Sequence, residues 1–407
     1  MSYKIFFEGP DLNPSQEKGY YHHLGSSPDL ADRLHTFLLR YKNEASELHI
    51  CLYLFNNTHI ADAVIELANH GVNVFITTIP LEGYTKKMVT VTDGIHCRKT
   101  SKFLEAEKVH QRLLNTPNIH LKYFDHIFVR SAKFSNFSRG ALPYSLHIKS
   151  MLLITDQRQY KILTSSNLAI GDELKDELIL IECIPTDDQC NLNFFHHIHQ
   201  LATINPALAT ELSFSYRNKP YDKLNRRIFT SPFYQNSNNH VDKRIKNLIR
   251  TAKVRLIICA QHVTNFTDEI RTALRANNQL RVTVISQTYA GDSDIYHRVR
   301  HPQNENDFRR FSAALSQQNV SHFVNGSVHH KFIVVDDVSL ISTANYTNTQ
   351  ALWKPINIAQ FTFAPERSYC GVFSEINEYT FISCQATANQ LDEHARLITL
   401  KDGTYKA

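Results

Sequence analysis

Paired cysteines, long apolar runs and low-complexity segments are missing from this sequence. Its seven cysteines are odd in number and include no Cys-x-x-Cys pair, which argues against a structural zinc site and favours a reducing compartment. No stretch approaches about eighteen uninterrupted apolar residues, and the first residues lack a basic region followed by an apolar core. We therefore expect a soluble, cytoplasmic protein without an integral membrane segment.

Glycine and proline are also scarce, with 12 and 13 among 407 residues, and this scarcity argues against extended disorder. The hydrophobic content of 42% is ordinary for a globular protein, and the length predicts two or three domains. The formal net charge is only +5. Such mild basicity permits a polyanionic partner but does not require one.

The clearest motif is at residues 328–336, which read Val-His-His-Lys-Phe-Ile-Val-Val-Asp. Alternate residues of a β-strand share a face, so the pattern predicts a buried strand with His329 and Lys331 on the same side. The apolar run anchors both side chains rigidly, as a positioned catalytic group requires. His330 falls on the opposite face and is interpreted as structural. Thr343 and Asn345 follow a few residues after the strand.

The same pattern occurs earlier in the chain, where His147 and Lys149 precede an apolar run and are followed by Ser165-Ser166-Asn167. A strand, a helix and a second strand precede each motif, which favours two parallel strands joined by a right-handed crossover. The second of these strands lies 75 positions before His147 but only 49 before His329. We therefore predict a duplication, with halves 1–210 and 211–407 and an insertion of about 26 residues in the first copy, within 84–140.

Basic residues cluster in the insertion and in the equivalent stretch of the second half, and phenylalanines accompany them in the insertion. Cations interleaved with aromatic rings suit a phosphate backbone with stackable bases. A solvated loop with a few buried aromatic side chains explains the same composition. The candidate substrate-binding cations are Lys86, Lys87, Arg98, Lys99, Arg298 and Arg300.

Two His-x-Lys strands, each followed by Ser/Thr-x-Asn, resemble the phospholipase D superfamily, whose signature is His-x-Lys, four residues, Asp, then Gly-Ser-x-Asn. The resemblance covers nearly the whole chain and implies an α/β fold. It implies two similar α/β/α-sandwich halves related by a pseudo-twofold axis, with mixed, largely parallel sheets and both motifs in one cleft. It also implies a phosphodiesterase that works without a metal or another cofactor.

Within that resemblance, the lysines and asparagines hold the non-bridging oxygens of an anionic phosphodiester, and the hydroxyls assist them. One histidine attacks phosphorus to form a phosphohistidine, and the other protonates the leaving oxygen and then activates water. The candidate catalytic and assisting residues are His147, Lys149, Ser165, Asn167, His329, Lys331, Asp336, Thr343 and Asn345.

The resemblance favours His147 as the nucleophile, but one residue pair leaves the assignment open. The family places a carboxylate beyond each Ser/Thr-x-Asn to fix the tautomer of an imidazole. Glu177 fits that place in the first half, whereas Asn357 is the expected match in the second. If Glu177 serves His329, the two roles exchange.

This sequence departs from the family signature at three positions. Ile154 stands where the first motif has its Asp, and Thr164 and Ser342 replace the glycines before Ser/Thr. We expect activity to survive, since the motif Asp lies at the strand end and is less directly chemical than His and Lys. A catalytically silent nucleic-acid-binding module is the alternative that these departures raise.

The basic loops favour a nuclease, such as an endonuclease, acting on DNA or RNA, because phosphates flanking the scissile one need cationic partners. The alternative is a phospholipid phosphodiesterase, which needs an apolar rim or an interfacial amphipathic helix. Both motifs are present in one chain, so a monomer is expected to suffice.

Overall fold

The computed structural model describes most of the chain between Tyr20 and Ala407. The described residues are 20–79, 81, 86–91, 94–99, 101–124, 145–169, 175–184, 186–202, 221–223, 226–231, 240–287, 302–316, 320–347 and 375–407. They divide into two units, the first comprising 1–218 with 355–376 and the second comprising 219–354 with 377–407.

The first unit contains four described helices and ten strands. The helices are α1 Ser27–Arg40, α2 Thr58–Asn69, α3 Ser101–Leu114 and α4 Gln189–Leu201. The strands are β1 Tyr20–Ser26, β2 Ala45–Leu52, β3 Asn73–Thr78, β4 Lys86–Val91, β5 Gly94–Lys99, β6 Ile119–Tyr123, β7 Ser145–Leu146, β8 Lys149–Thr155, β9 Gln159–Thr164 and β10 Asp176–Ile184.

The remaining described elements belong to the second unit, except that β18 begins with two residues of the first. The helices are α5 His240–Arg250, α6 Thr267–Ala276, α7 Pro302–Ser316 and α8 Gln385–Thr399. The strands are β11 Tyr221–Lys223, β12 Arg226–Ser231, β13 Arg255–Cys259, β14 Arg281–Ser286, β15 Val320–Val324, β16 Phe332–Val335, β17 Val338–Ser342, β18 Glu375–Ser383 and β19 Tyr405–Lys406.

The two main sheets repeat one topology. The first has the strand order β1-β10-β9-β8-β2-β3-β6, and the second contains β12-β18-β17-β16-β13-β14-β15 in the matching places. The equivalent pairs run in the same relative directions in both sheets. This repetition confirms the predicted α/β class with two similar halves.

One detail of the predicted fold is wrong, since the sheets are mixed but not largely parallel. In the first sheet only β2, β3 and β6 pair in parallel, and β8, β9, β10 and β1 add antiparallel pairs. Parallel strands need a crossover connection of a dozen or more residues. The connection between β8 and β9 is only 156–158, which is too short for a crossover.

The first unit buries both faces of its sheet. Leu48, Ile50 and Leu52 of β2 belong to a core cluster with residues of α1, α2 and α3. The alternate residue His49 points to the other face, where its ring contacts Phe195 of α4. Because neighbouring strand residues alternate between faces, one strand serves two layers of helices, as expected for an α/β/α sandwich.

The second unit has its own core cluster, formed by α5, α6 and α7 with β13, β14 and neighbouring strands. Helix α8 lies against β13, β16 and β17. Among the described helices of both units, none is long and apolar enough to span a bilayer.

The extra length of the first copy has two parts. Between Tyr123 and His147 there are 23 residues, against four between Val324 and His329. The antiparallel hairpin β4–β5 lies between β3 and α3. The helix α3 and strand β6 match α7 and β15, so they belong to the repeated unit although they lie inside the range 84–140 within which the insertion is predicted.

Candidate active site

The first His-x-Lys motif lies at the start of β8. Lys149 is the first residue of this strand, its side chain is 1% exposed, and its Nζ donates to the backbone oxygen of His147 at 2.7 Å. The same Nζ lies 3.4 Å from Nε2 of His147. The lysine therefore folds back along the motif, so the ammonium and the imidazole are adjacent as the sequence predicts.

The second motif repeats this arrangement. Lys331 is also 1% exposed, and its Nζ donates to the backbone oxygen of His329 at 2.5 Å. Strand β16 begins only at Phe332, so His329 and Lys331 lie in the segment before the strand, not inside the predicted strand. His330 is fully buried beside the Cys259 thiol and stacks on Phe332, which fits its predicted structural role.

A buried hydroxyl follows the motif strand in each unit. Ser165 Oγ donates to Oε2 of Glu177 at 2.5 Å and accepts from the amide of Leu178 at 2.8 Å. Thr343 Oγ1 has the corresponding contacts in the second unit. It lies 2.9 Å from Oδ1 of Asn377 and accepts from the amide of Glu378 at 3.0 Å. Ser165 and Thr343 thus connect each Ser/Thr-x-Asn turn to the next strand.

This hydrogen bonding identifies Asn377 as the counterpart of Glu177. The sequence alone predicts this counterpart at Asn357, which lies outside the described residues. Glu177 follows Asn167 by ten positions, whereas Asn377 follows Asn345 by 32. The number of residues after the Asn turn therefore does not locate this counterpart. A polar residue near the start of an otherwise apolar strand, β10 or β18, is the sequence signal that could have identified it.

The Asn-bearing turns are fixed in the same way in both units. The carbonyl of Leu168 accepts from the amides of Asn56 and Asn57 at 3.2 and 3.0 Å. Tyr346 accepts from two successive amides of the loop after β13, at 3.0 and 3.2 Å. Asn345 Oδ1 accepts from the amide of His262 at 3.3 Å. Each turn is thereby tied to the loop after the first strand of the crossover unit.

Hydroxyl side chains stabilise the turns where the family signature has glycine. Thr164 Oγ1 accepts from the amide of Ser166 at 3.0 Å, and Ser342 Oγ donates to the carbonyl of Ala344 at 3.0 Å. Ser342 Oγ also lies 3.3 Å from the hydroxyl of Tyr346, whose pKa is raised by burial. The departures from glycine therefore supply hydrogen bonds inside the turns.

Two residues beside His147 were not identified from the sequence. Oε2 of Glu375 lies 3.5 Å from Nδ1 of His147, and both side chains are largely buried. Ser145 and Leu146 of β7 pair with Glu375 and Ile376, which brings this carboxylate to the motif. The Tyr53 ring centre lies 5.4 Å from the His147 ring centre and 5.5 Å from Nζ of Lys149.

Asp336 has a mainly structural setting. It lies at the end of β16 remote from Lys331, and its carboxylate accepts from the amides of Lys253, Val254 and Arg255 at 2.9, 2.7 and 3.0 Å. These bonds fix the loop that leads into β13.

Ile154 is the counterpart of Asp336 in the first unit, and its apolar side chain cannot accept hydrogen bonds from the chain that leads into β2. In the first unit, the carbonyl of Tyr41 accepts from the amides of Glu44 and Ala45 at 3.0 and 2.8 Å. Two amides at the entry to β2 therefore have a local acceptor and do not need a carboxylate at position 154.

The candidate cations of the first half lie on the hairpin β4–β5. Lys86 is opposite Lys99 and Lys87 is opposite Arg98 in the antiparallel register. Arg298 and Arg300 lie outside the described residues.

Comparisons with known proteins identify the fold. No family model matches the chain, and no curated protein is a significant relative. Among solved structures, phosphatidylserine synthase of Haemophilus influenzae Rd KW20 is 14% identical with a TM-score of 0.59, covering 96% of this chain and 88% of that chain. Polyphosphate kinase from Porphyromonas gingivalis is 12% identical with a TM-score of 0.51.

The alignment with the kinase covers 94% of this chain, which spans only 50% of that chain. A phospholipase D family member, Nuc from Salmonella typhimurium, matches 46% of this chain over 100% of its own length. It is 13% identical, with a TM-score of 0.29.

Proposed function

We propose that this chain, which has the fold of the phospholipase D superfamily, is a phosphodiesterase whose two His-x-Lys motifs act on one phosphodiester. In the proposed reaction, the substituted phosphoryl group of the substrate is transferred to an imidazole, and the phosphohistidine is then hydrolysed. Nucleic acid is the proposed substrate class, and the enzyme is proposed to need no metal for the chemical step.

The observation that carries the proposal is the duplication of a detailed polar arrangement. In each unit a buried lysine donates to the carbonyl of the motif histidine, and a buried hydroxyl connects the following turn to the next strand. The charge of a buried ammonium group is screened by solvent much less than that of an exposed one. Two buried motif lysines are a reason to expect an anionic substrate.

The surroundings of His147 favour it as the nucleophile. Glu375 faces Nδ1 and the Lys149 ammonium faces Nε2. A carboxylate accepts a hydrogen bond from Nδ1–H, and an ammonium only donates, so the pair favours the tautomer with the proton on Nδ1 and a lone pair on Nε2. That lone pair is the nucleophile that attack on phosphorus requires.

In the proposed reaction, Nε2 of His147 forms a bond to phosphorus while the bond to the leaving oxygen breaks. His329 gives its proton to that oxygen and then removes a proton from water, which attacks the phosphohistidine and restores the imidazole. Lys149, Lys331 and the two motif asparagines stabilise the charge on the non-bridging oxygens.

The charge of the β4–β5 hairpin supports a nucleic-acid substrate over a neutral one. Four basic residues form two directly opposed pairs in the register of this hairpin. Paired cations suit the phosphates that flank a scissile phosphodiester in a polynucleotide. The second candidate is a phospholipid substrate, which the neighbour of matching length, a phosphatidylserine synthase, brings into consideration.

A substrate panel in excess chelator tests the proposal. Single- and double-stranded DNA, RNA and phosphatidylcholine vesicles are each incubated with the wild-type protein, His147→Ala, His329→Ala and a His70→Ala control. We expect nucleic-acid cleavage in the wild type and control and none in the motif variants. Headgroup release alone supports the lipid substrate. Binding without turnover, or cleavage that survives both motif substitutions, contradicts the proposed enzyme.

A further inference from the structure

A second cluster of polar side chains lies in the first unit, between β2 and α4. Glu47 and His49 are two positions apart on β2 and therefore share a face, and His196 of α4 lies over them. One ligand atom from each of the three residues lies within 4.8 Å of the other two. None of the three residues has a part in the proposed phosphodiesterase chemistry.

His49 is unusual for a core residue. Its side chain is 1% exposed, stacks on Phe75 and approaches the His196 ring with 5.0 Å between ring centres. Its Nε2 lies 2.8 Å from Oε2 of Glu47, whereas its Nδ1 has no hydrogen-bond partner among the described residues. Because Nε2 is the ring nitrogen that faces Glu47, it is the atom of His49 placed to bind an ion together with that carboxylate.

The distances fit a tetrahedral metal ion after a small adjustment. Zinc bonds to imidazole nitrogen and carboxylate oxygen at about 2.0–2.2 Å, so neighbouring ligand atoms of a tetrahedral site are about 3.3–3.6 Å apart. The Glu47–His49 pair must open from its hydrogen-bonded 2.8 Å, and His196 must approach. Because Glu47 is half-buried and His196 is exposed, both can change rotamer without disturbing the core.

In the second unit, the equivalent strand and helix are joined by polar side-chain contacts. There the counterpart of Glu47 is Arg255 of β13, which donates to Asp392 of α8 at 2.8 Å and to Asn389 at 2.7 Å. These bonds fasten the last helix of the unit to its central strand. In the first unit, the equivalent strand and helix carry a carboxylate and two imidazoles, which are ligands and not an ion pair of opposite charge.

We propose that Glu47, His49 and His196 form a zinc site that fastens α4 to β2, with water as the fourth ligand. Imidazole ligands favour zinc over magnesium and calcium, which prefer oxygen. The proposed role is structural and is independent of the phosphodiesterase proposal. It differs from the sequence-based expectation of no structural zinc site, which rested on the lack of a Cys-x-x-Cys pair and did not consider histidines on separate elements.

Metal binding to the full chain without a histidine tag tests the site. The protein is treated with chelator, dialysed, and titrated with Zn²⁺ against a chromophoric competitor. The wild type is compared with His196→Ala, Glu47→Gln and His70→Ala. His196 and His70 are both exposed, so neither substitution opens the core, and His70→Ala serves as the matched control.

We expect the wild type and His70→Ala to bind one tight Zn²⁺, and His196→Ala and Glu47→Gln to bind at least about tenfold more weakly. Zinc is also expected to raise the melting temperature of the wild type and the control more than that of His196→Ala, because it binds the folded state. Equal affinity in all four proteins, or no tight zinc in the wild type, overturns the proposal.

Discussion

Replacing Asp336 separates a structural role of the motif aspartate from a catalytic one. Its carboxylate accepts three backbone amides of residues 253–255 and lies at the far end of β16 from Lys331. The backbone of Asp336 is also left-handed, with φ of 51°. We therefore expect Asp336→Ala to destabilise the protein and to leave the turnover of folded molecules nearly unchanged.

The magnitude follows from these contacts. A hydrogen bond to a charged group contributes about 1.5–3 kcal/mol, but water replaces the carboxylate at the exposed amides of Lys253 and Val254, so the bonds together account for about 2 kcal/mol. Alanine in a left-handed conformation costs about 1 kcal/mol more, which gives a total of about 3 kcal/mol. Asp336→Gly avoids the strain and should lose about 2 kcal/mol, and Asp336→Asn, which keeps one acceptor oxygen, about 1 kcal/mol.

Urea unfolding followed by circular dichroism measures these losses, and hydrolysis of an activated phosphodiester under native conditions measures turnover. Asp337→Ala is the matched control, since it removes the exposed neighbouring carboxylate. The reasoning is refuted if Asp336→Ala is as stable as the control. It is equally refuted if folded Asp336→Asn loses more than about a hundredfold in kcat, a loss typical of a direct role in proton transfer.

Three further substitutions test other parts of the structure. Burial lowers the pKa of His322 to about 4. Between pH 6.5 and pH 4 the unfolded chain therefore binds this proton and the folded chain does not, so the free energy of unfolding decreases as the pH falls. From pH 7 to pH 5 we expect His322→Gln to lose about 2 kcal/mol less of this free energy than the wild type, as measured by urea unfolding. Thr343→Val leaves the amide of Glu378 without its acceptor and should cost about 1–3 kcal/mol by the same assay; an unchanged midpoint would contradict the contact. Glu375→Gln should lower kcat about 10- to 100-fold at unchanged KM. This loss is smaller than the one expected for a carboxylate that is hydrogen-bonded directly to the catalytic histidine, because Oε2 of Glu375 is 3.5 Å from Nδ1 of His147. A kcat equal to that of the wild type would show that Glu375 has no part in the mechanism.

The local patterns in the sequence were sufficient for most elements that carry the motifs. The sequence predicts a helix between two strands before each motif, and the structure has α2 at Thr58–Asn69 and α6 at Thr267–Ala276 in these places. The duplication followed from two similar motifs preceded by similar strands and helices, and the matching strand orders confirm it. These features depend on periodicity and composition over short windows, which a single sequence displays directly.

Contacts between residues distant in the chain were beyond the same reasoning. Glu375 is 228 positions from His147 and reaches it only because β7 pairs with the start of β18. Asn377 was missed because the two copies differ in the length of chain between the Asn turn and the following strand. The prediction of largely parallel sheets was wrong for another reason. In each unit the strand of the motif is joined to the next strand by a short hairpin connection and not by a crossover, so the two strands are antiparallel.

The most direct test of the central claim is a double-mutant comparison of His147 and His329. We would measure phosphodiester hydrolysis in chelator for His147→Ala, His329→Ala and the double variant. Residues that act as one catalytic unit give non-additive losses, so we expect each single substitution to cost about 10⁴-fold or more and the double substitution to cost no more than the larger single loss. Losses that multiply, or a single variant with near wild-type turnover, would contradict the claim that the two motifs serve one phosphodiester.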